Sequence, residues 1–248
     1  MIVIAVLVLA ALYFSAHYNW WRKPVSMGYP RVLMYHSVNT EYGNLSKDLV
    51  VSPDSFESQL KYLSRRGYRF CTVSELLGLE PEARSKCVVL TFDDGFRDNY
   101  THMFPLLKQF NAKATIYLAP AIPDIERLDQ EQILEMQQSG LIEFGAHTMH
   151  HINLDKAGDE TARSEIEESK AAVERLTGRP CQAFAYPFGR YNSRNVEQVR
   201  AAGMSNAVTV KKGIDGIDDP FRIKRISVLG STSTLQFHLA MTRGRYRV

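Results

Sequence analysis

Short apolar segments alternate with amphipathic helical segments along most of this 248-residue chain, and this alternation restricts its fold more than any other feature. The clearest apolar segment, residues 87–92, reads CVVLTF, which is typical of a strand buried on both faces. Similar segments lie at residues 32–35, 114–118, 141–146, 183–186, 207–210 and 223–229. The alternation predicts an α/β fold with a mainly parallel sheet. About seven such units fit a closed or nearly closed (β/α) barrel.

Helix signals fall between the apolar segments. Ser52 and Pro53 are typical of an N-cap and a first helical position. Phe56 and Leu60 then repeat on one helix face, and Gly67 suits the C-terminal end. Further helices are predicted at residues 129–139, 159–177 and 195–202.

The first residues of the chain differ in composition from the rest. Residues 1–14 are almost entirely apolar, and with the residues that follow they reach about 17, the short end for a helix that spans a bilayer. Trp20 and Trp21 stand where an aromatic belt would lie. No Lys or Arg precedes the apolar run and no A-x-A site follows it, so an uncleaved anchor is favoured over a cleaved signal peptide.

The chain is therefore divided into a membrane anchor at residues 1–23, a linker at 24–30 and one large domain at 31–248. Arg22 and Lys23 follow the anchor, and the positive-inside rule would keep them and the domain in the cytoplasm. Two charges are weak evidence, so the side of the membrane stays open.

Charge and cysteine content exclude some classes of protein. The formal net charge of +3 is too small to suggest a nucleic-acid partner. Cys71, Cys87 and Cys181 have no metal-site spacing, and their odd number argues against a disulfide framework. Buried free thiols are predicted, although one bridge is possible outside the cytoplasm.

Polar residues with catalytic potential follow the predicted strands. His36, Asp93, Asp94 and His147 all come just after a strand, and parallel barrels build their active sites at that end. The adjacent acids can share a site only if the chain turns, which Gly95 permits. Two close carboxylates repel unless a cation or a proton neutralises one of them, which suits one metal ligand and one base. Asp-Asp-Gly by itself is also an ordinary turn sequence.

Two histidines four residues apart suggest a metal site. On one helical turn, His147 and His151 would lie on the same side and could hold one metal ion, whereas His150 would point away. A polar loop with its histidines bonded to the backbone is the alternative. One Asp and two His would leave positions open for water and substrate, as in catalytic sites.

These residues carry a resemblance to a known family. The motif TFDDG at residues 91–95, followed about fifty residues later by His147-Thr148-x-x-His151, resembles the polysaccharide deacetylase family of NodB-homology carbohydrate esterases. Residues 184–189, FAYPFG, are similar to the family's proline-aromatic-glycine motif. The similarity spans residues 31–229 and implies a deformed (β/α) barrel of about seven strands, with residues 31–248 as the catalytic domain.

The resemblance implies roles for the polar residues. Asp93 would be the general base, and Asp94, His147 and His151 would hold one divalent metal ion. Zinc suits these ligands, and Co²⁺, Ni²⁺ and Mn²⁺ fit similar ones.

The third motif is expected to contact substrate. The backbone N–H of Phe188 would help to stabilise an oxyanion, with Pro187 and Tyr186 beside it. Tyr186 and Phe188 could stack on sugar rings, or their aromatic rings could belong to the core.

Two family features are missing from this sequence. Ala185 stands where many relatives carry an arginine that orients the base, and Arg225 is a candidate replacement. The usual late histidine motif is also absent, and His238 lies in a predicted amphipathic helix where packing is expected. Residues 33–36, LMYH, resemble the first strand of the poly-β-1,6-N-acetylglucosamine N-deacetylase subgroup, which supplies its acid histidine there. His36 is therefore the acid candidate.

The sequence thus predicts a metal-dependent hydrolase that removes N-acetyl groups from an amino-sugar polysaccharide, held at a membrane with its catalytic domain outside the cytoplasm. Two alternatives stay open. One is a non-catalytic glycan-binding module on the same scaffold, and the other is a deacetylase of a lipid-linked sugar or a small cyclic amide.

Overall fold

A computed structural model describes residues 2–245, apart from the side chains of His17 and Asn19. Met1, which begins the predicted anchor, and residues 246–248, which end the predicted domain, lie outside the described residues. The helices are α1 (Ile2–His17), α2 (Pro53–Arg65), α3 (Val73–Leu77), α4 (Phe104–Phe110), α5 (Gln130–Gln138), α6 (Asp159–Thr177), α7 (Ser193–Ala201) and α8 (Thr234–Arg243). The strands are β1 (Arg31–Tyr35), β2 (Ser37–Val38), β3 (Val50–Val51), β4 (Arg69–Phe70), β5 (Cys87–Phe92), β6 (Ala114–Leu118), β7 (Ile142–Ala146), β8 (Ala183–Ala185), β9 (Asn206–Lys212) and β10 (Ile223–Ser227).

Seven parallel strands close into a barrel. Their order is β1-β10-β9-β8-β7-β6-β5, and β5 pairs again with β1. The short strand β4 pairs with the first two residues of β5, and β2 and β3 form a separate parallel pair. The predicted barrel of about seven strands is confirmed. Because all its strands are parallel, the residues that follow them gather at one end.

The barrel interior and the helices share one apolar core. Every residue of β1, β5 and β6 is buried. The ring of Tyr35 packs on Phe92, with centroids 5.1 Å apart, and on Phe56 of α2 at 5.4 Å. Each fully buried side chain of this size stabilises the fold by roughly 1.5–3 kcal/mol. The Tyr35 hydroxyl donates to Gln59, so its polar end is satisfied.

Capping residues and apolar spacing in the sequence predicted the ends of most helices and strands to within a few residues of those observed. Ser52 caps α2 and Pro53 is its first residue, as predicted. Helix α7 begins at Ser193, earlier than predicted, because Asn192 is its N-cap and forms a capping box with Asn195. The two-residue strands β2, β3 and β4 are too short to leave a periodic pattern, and they were not predicted.

The predicted linker is fixed to the barrel. Arg31, the first residue of β1, is fully buried. Its guanidinium donates to three carbonyl oxygens within residues 24–30 and to the carbonyl oxygen of Met241 in α8. These bonds hold the segment at the amino-terminal end of the strands.

The predicted anchor forms the helix α1. Its apolar side chains are exposed, with Ile2 at 82% and Leu9 at 66%. Helix α1 has 16 residues. Within residues 2–245, no helix combines the length and the apolar character needed to cross a membrane.

All three cysteines are free and buried, as predicted. Burial raises the pKa of the Cys181 thiol to about 12, which keeps it protonated and unreactive at neutral pH.

Candidate metal centre and active site

Four of the predicted site residues meet at the carboxyl end of the barrel. His36 follows β1, Asp93 and Asp94 follow β5, and His147 follows β7. Strands β1 and β5 pair with Tyr35 opposite Phe92, so the two chains leave the barrel side by side. The His36 Nε2 atom lies 4.0 Å from Asp93 Oδ2.

Asp93 is a buried carboxylate held by an arginine. Arg225, fully buried on β10, donates from Nη1 to Oδ1 at 2.7 Å and from Nη2 to Oδ2 at 2.8 Å. The same guanidinium donates to the Thr209 carbonyl oxygen and to the Thr91 hydroxyl. Burial alone would raise the pKa of Asp93, but the bidentate pair outweighs it and holds the pKa well below its usual range. Asp93 is therefore an ionised base with a fixed orientation.

Asp94 points its carboxylate away from this pair because the chain turns there. Its φ is +75°, and that of Gly95 is +77°. A Cβ at Gly95 would also lie 2.5 Å from Leu118 Cδ2 and would displace that side chain, but the positive φ is the main reason for glycine here. Burial, and then the charge of Asp93, raise the pKa of Asp94 to about 8. Its Oδ1 atom is buried without a hydrogen-bond partner among residues 2–245.

His147 presents one nitrogen to Asp94. Its Nδ1 donates to the carbonyl oxygen of Ala185 at 2.7 Å, and because that oxygen can only accept, Nε2 carries the lone pair. Nε2 lies 3.6 Å from Asp94 Oδ1. Burial lowers the pKa of His147 to about 3, which keeps the ring neutral.

His151 completes the cluster from an irregular loop. Its Nε2 lies 3.4 Å from Asp94 Oδ1, and its ring centroid is 4.8 Å from that of His147. The sequence-based expectation of a helical turn here is wrong, because Thr148 has a φ of +60° and His151 one of +56°. The left-handed backbone at Thr148 and His151 turns the loop so that the two histidine rings lie close together.

A glutamate on α6 holds the loop between the two histidines. Glu165 accepts at Oε2 from the backbone N–H groups of Met149 and His150, both at 2.9 Å. Its Oε1 lies 2.7 Å from His150 Nδ1. His150 thus faces away from the cluster, as predicted. Glu165 itself was missed, although a charged residue on the buried face of α6, next to Ile166, is a signal for such a role.

The three residues fit a divalent cation. One ligand atom from each of Asp94, His147 and His151 lies within 4.8 Å of the others. Ligands about 2.0–2.1 Å from a tetrahedral metal are roughly 3.3 Å apart, close to the two distances from Asp94 Oδ1. Lone pairs that face one another around a buried oxygen repel, and a cation or a proton at their centre removes that repulsion.

His36 lies beside Asp93 and is not part of the group of three possible metal ligands. Its side chain is 18% exposed. Burial lowers the pKa of His36, while the charge of Asp93 acts in the opposite direction. The ring therefore borders both the base and the opening of the site.

The third motif divides between surface and core. The Phe188 ring is 58% exposed and lies 4.4 Å, centroid to centroid, from His151. Tyr186 is fully buried, stacks on Tyr191 and donates to the Phe221 carbonyl oxygen, so of the two alternatives its ring belongs to the core. Pro187 is buried beside it.

The contacts of Arg225 and His238 show where these two remaining candidates lie relative to the site. Arg225, the candidate replacement for the arginine missing at Ala185, pairs with Asp93, and its signal was a charged residue between the two isoleucines of β10. His238 lies 2.8 Å from the Tyr62 hydroxyl on the outside of the barrel, so its role is packing, as predicted.

A closed parallel barrel with paired carboxylates and imidazoles at its rim defines the class: a (β/α)-barrel protein with a candidate metal site at the carboxyl end of its strands. The chain belongs to the polysaccharide deacetylase family, whose model matches residues 80–207. The resemblance noted from the motifs is thereby confirmed.

Individual relatives agree with this assignment. YxkH of Bacillus subtilis, which is named as a polysaccharide deacetylase, is 34% identical over 186 residues, 73% of this chain and 64% of its own length. This chain thus spans less than two thirds of that relative. The poly-β-1,6-N-acetyl-D-glucosamine N-deacetylase of Staphylococcus aureus is 25% identical over 199 residues, 73% of this chain and 69% of its own length. Among solved structures, the Bacillus cereus polysaccharide deacetylase BC0361 superposes with a TM-score of 0.77 and 30% identity, covering 86% of this chain and 69% of its own.

Proposed function

We propose that this protein is a metal-dependent N-deacetylase of a polysaccharide built from N-acetylglucosamine. The observation that carries the proposal is the meeting of Asp94, His147 and His151, with ligand atoms within 4.8 Å, beside the ionised Asp93. Zinc is the proposed metal, and Co²⁺, Ni²⁺ or Mn²⁺ would suit the same ligands. When bound, the metal would polarise the acetyl carbonyl and make water more acidic.

Asp93 has the properties of the base. Its carboxylate is ionised and held in one orientation by Arg225, so it can take a proton from the water that attacks the carbonyl carbon. The lowered pKa of Asp93 makes it a weaker base, and this is offset because the metal would make the attacking water more acidic. The backbone N–H of Phe188 is the proposed donor to the developing oxyanion.

His36 is the proposed acid. Amide hydrolysis needs a proton on the leaving nitrogen as the carbon–nitrogen bond breaks, and protonated His36 would supply it. The His36 Nε2 atom lies 4.0 Å from Asp93 Oδ2, so base and acid border the same position and can act on one acetyl group. The products are a free amine on the sugar and acetate.

The surroundings of the site support a glycan substrate. A cavity of about 460 Å³, whose lining includes Asp94 but none of the other proposed site residues, lies between Leu118 and Arg127, and its volume is in the size range of ligand pockets. The exposed Phe188 ring offers a face for a sugar. The Staphylococcus aureus relative is named for poly-β-1,6-N-acetyl-D-glucosamine, and we propose the same class of polymer here.

The test is acetate release from oligomers of β-1,6-linked N-acetylglucosamine by the zinc-loaded protein. We expect Asp93→Asn to lose about 10²–10⁴-fold in kcat while it retains zinc, because Asp93 is not among the ligands. Asp94→Asn should lose both the activity and the bound zinc, because Asp94 is a proposed ligand. Full activity of Asp93→Asn would disprove the assignment of the base.

The two alternatives predict other outcomes of the same assay. A non-catalytic glycan-binding module would bind the oligomers without releasing acetate under any metal. A deacetylase of lipid-linked sugars would release acetate from a polyprenyl-linked N-acetylglucosamine but not from the polymer. The buried pair of Asp93 with Arg225 favours the enzyme, since burial of a base has no use in a binding module.

We also propose that α1 holds the domain at a membrane, outside the cytoplasm, where such polymers are found. Apolar side chains are exposed along α1, and Trp20 and Trp21 follow at 49% and 54% exposure. In fractionation of cells that produce the chain, the full chain should sediment with membranes, and a variant that begins at residue 24 should not. Equal distribution of both would contradict the proposal.

A further inference from the structure

The position of the His36 ring depends on its backbone. Within residues 2–245 the ring makes no hydrogen bond, and its nearest charged partner is Asp93 at 4.0 Å. Strand β1 ends one residue earlier, where the Tyr35 carbonyl oxygen accepts from the Asp93 N–H at 3.0 Å. Beyond His36 the chain is held by the pairing of β2 with β3 and by contacts from two side chains.

Asn99 supplies the first of these contacts. It is fully buried and donates from Nδ2 to the His36 carbonyl oxygen at 2.9 Å. The same Nδ2 donates to Asp98 Oδ1 at 3.1 Å, so both amide hydrogens are used and the orientation of the amide is fixed.

Asp98 holds the next three residues. Its carboxylate accepts from the Ser37 hydroxyl at 2.6 Å, from the Val38 N–H at 3.2 Å and from Asn39 Nδ2 at 3.4 Å. A carboxylate acceptor makes each of these bonds stronger than its neutral equivalent. Residues 36–39 are thus bonded to one acid–amide pair, in addition to the backbone pairing of β2 with β3.

This pair belongs to the segment that carries the base and the metal ligand. Residues 93–99 run from Asp93 through Asp94 to Asn99, where a π-helical turn, Asn99–Met103, begins and leads into α4. One short segment therefore sets the positions of the base, of one metal ligand and of the backbone of His36. Irregular helical turns of this kind are frequent at functional sites.

We propose that Asp98 and Asn99 are positioning residues that hold His36 where it can protonate the leaving amine. The inference rests on the proposed function. It differs from a purely structural role in one respect: the loss should depend on whether the leaving group needs a proton. An amide leaves as an amine and needs one, whereas a nitrophenyl acetate leaves as a stable phenolate and does not.

The experiment compares Asn99→Ala and Asp98→Asn with the wild type on both substrates, each protein loaded with zinc. We expect kcat for acetate release from N-acetylglucosamine oligomers to fall about 10–100-fold, and kcat for nitrophenyl acetate to change less than about 3-fold. His36→Ala should show the same selectivity. Asn195→Ala, which removes a buried asparagine of α7, is the control and should show no selectivity.

A milder variant guards against misfolding. Ser37→Ala removes one donor to Asp98 and leaves the other bonds. Its kcat on the amide should fall about 2–5-fold relative to nitrophenyl acetate, which corresponds to the loss of about one hydrogen bond. Zinc affinity should be unchanged in all of these variants. An equal loss on both substrates, or no loss on the amide, would overturn the positioning role alone. A wild type that releases acetate from neither substrate would overturn the proposed function as well.

Discussion

Arg225 on the last barrel strand forms a bidentate ion pair with Asp93 at the end of β5, 132 residues earlier in the chain, with both N···O distances below 2.9 Å. The pair lies in the interior of the barrel rim, since Arg225 is fully buried and Asp93 is 3% exposed. It fixes the orientation of Asp93, the proposed base, and ties the last strand to it.

Removal of Arg225 should therefore affect both stability and pH dependence. Arg225→Met leaves the Asp93 carboxylate buried and unpaired, which should lower the free energy of unfolding by about 3–5 kcal/mol in urea titrations. Burial would then raise the pKa of Asp93 without opposition. In the wild type, the lowered pKa keeps the base ionised through the acidic range, so we expect the acid limb of the rate profile to move to higher pH in the variant.

The control is the double variant Asp93→Asn/Arg225→Met, which leaves no unpaired charge. Its loss of stability should be smaller than the sum of the two single losses by about 1–3 kcal/mol. Additive losses would show that the ion pair is not the source of the effect.

Metal binding should release a proton from Asp94. The pKa of this carboxyl is about 8 in the metal-free protein, through burial and the charge of Asp93, so it is protonated at neutral pH. The histidine ligands have lowered pKa values and contribute no protons. We expect zinc affinity to rise about tenfold per pH unit from pH 6 to 8 and then to level off, with one proton released at pH 7 in calorimetry.

The same shift sets the sign of the stability effect. A carboxyl with a raised folded-state pKa contributes stability that is present below its unfolded pKa and is lost as pH rises through about 8. The rise in Tm on adding zinc should therefore be larger at pH 8 than at pH 6. A zinc affinity that stays constant over this range would refute the coupling.

Glu165 should matter for metal affinity although it is not a ligand. Glu165→Met removes the acceptor for the Met149 and His150 N–H groups and frees the loop that carries His151. Loss of such support should weaken zinc binding about 10–100-fold in calorimetric titration of the metal-free protein.

Two controls define that result. Glu165→Gln should keep most of the affinity, because one amide oxygen can still accept both backbone N–H groups while the amide nitrogen faces His150. Glu167→Gln, at an exposed position of the same helix, should have no effect. If Glu165→Met binds zinc as tightly as the wild type, the loop does not need this support.

Phe188 and Tyr186 should behave in opposite ways. Phe188→Ala removes the exposed ring next to His151 and should raise KM for N-acetylglucosamine oligomers about 2–10-fold, the range expected for stacking on one aromatic ring. Tyr186→Phe removes only a buried hydroxyl and should cost about 1 kcal/mol of stability with no change in KM. A raised KM in Tyr186→Phe would place that residue at the substrate after all.

The sequence predicted those features that depend on neighbours in the chain. Helix α6 was predicted with the bounds observed, Asp159–Thr177, because its apolar spacing and the Gly178 that ends it are local signals. Asp93, Asp94 and His147 were recognisable because each ends an apolar strand, and parallel strands bring such ends together.

Only the tertiary structure decided which of these residues touch. The pair of Arg225 with Asp93 exists because β1 bonds to β10 on one side and to β5 on the other when the barrel closes. Tyr186 and Phe188 are two residues apart, yet one is buried and the other is 58% exposed, since the chain turns after β8 and Phe188 has a left-handed backbone. The periodicity of a sequence indicates which face of a helix or strand a residue occupies. The residues that it contacts from other strands are determined only when the barrel closes.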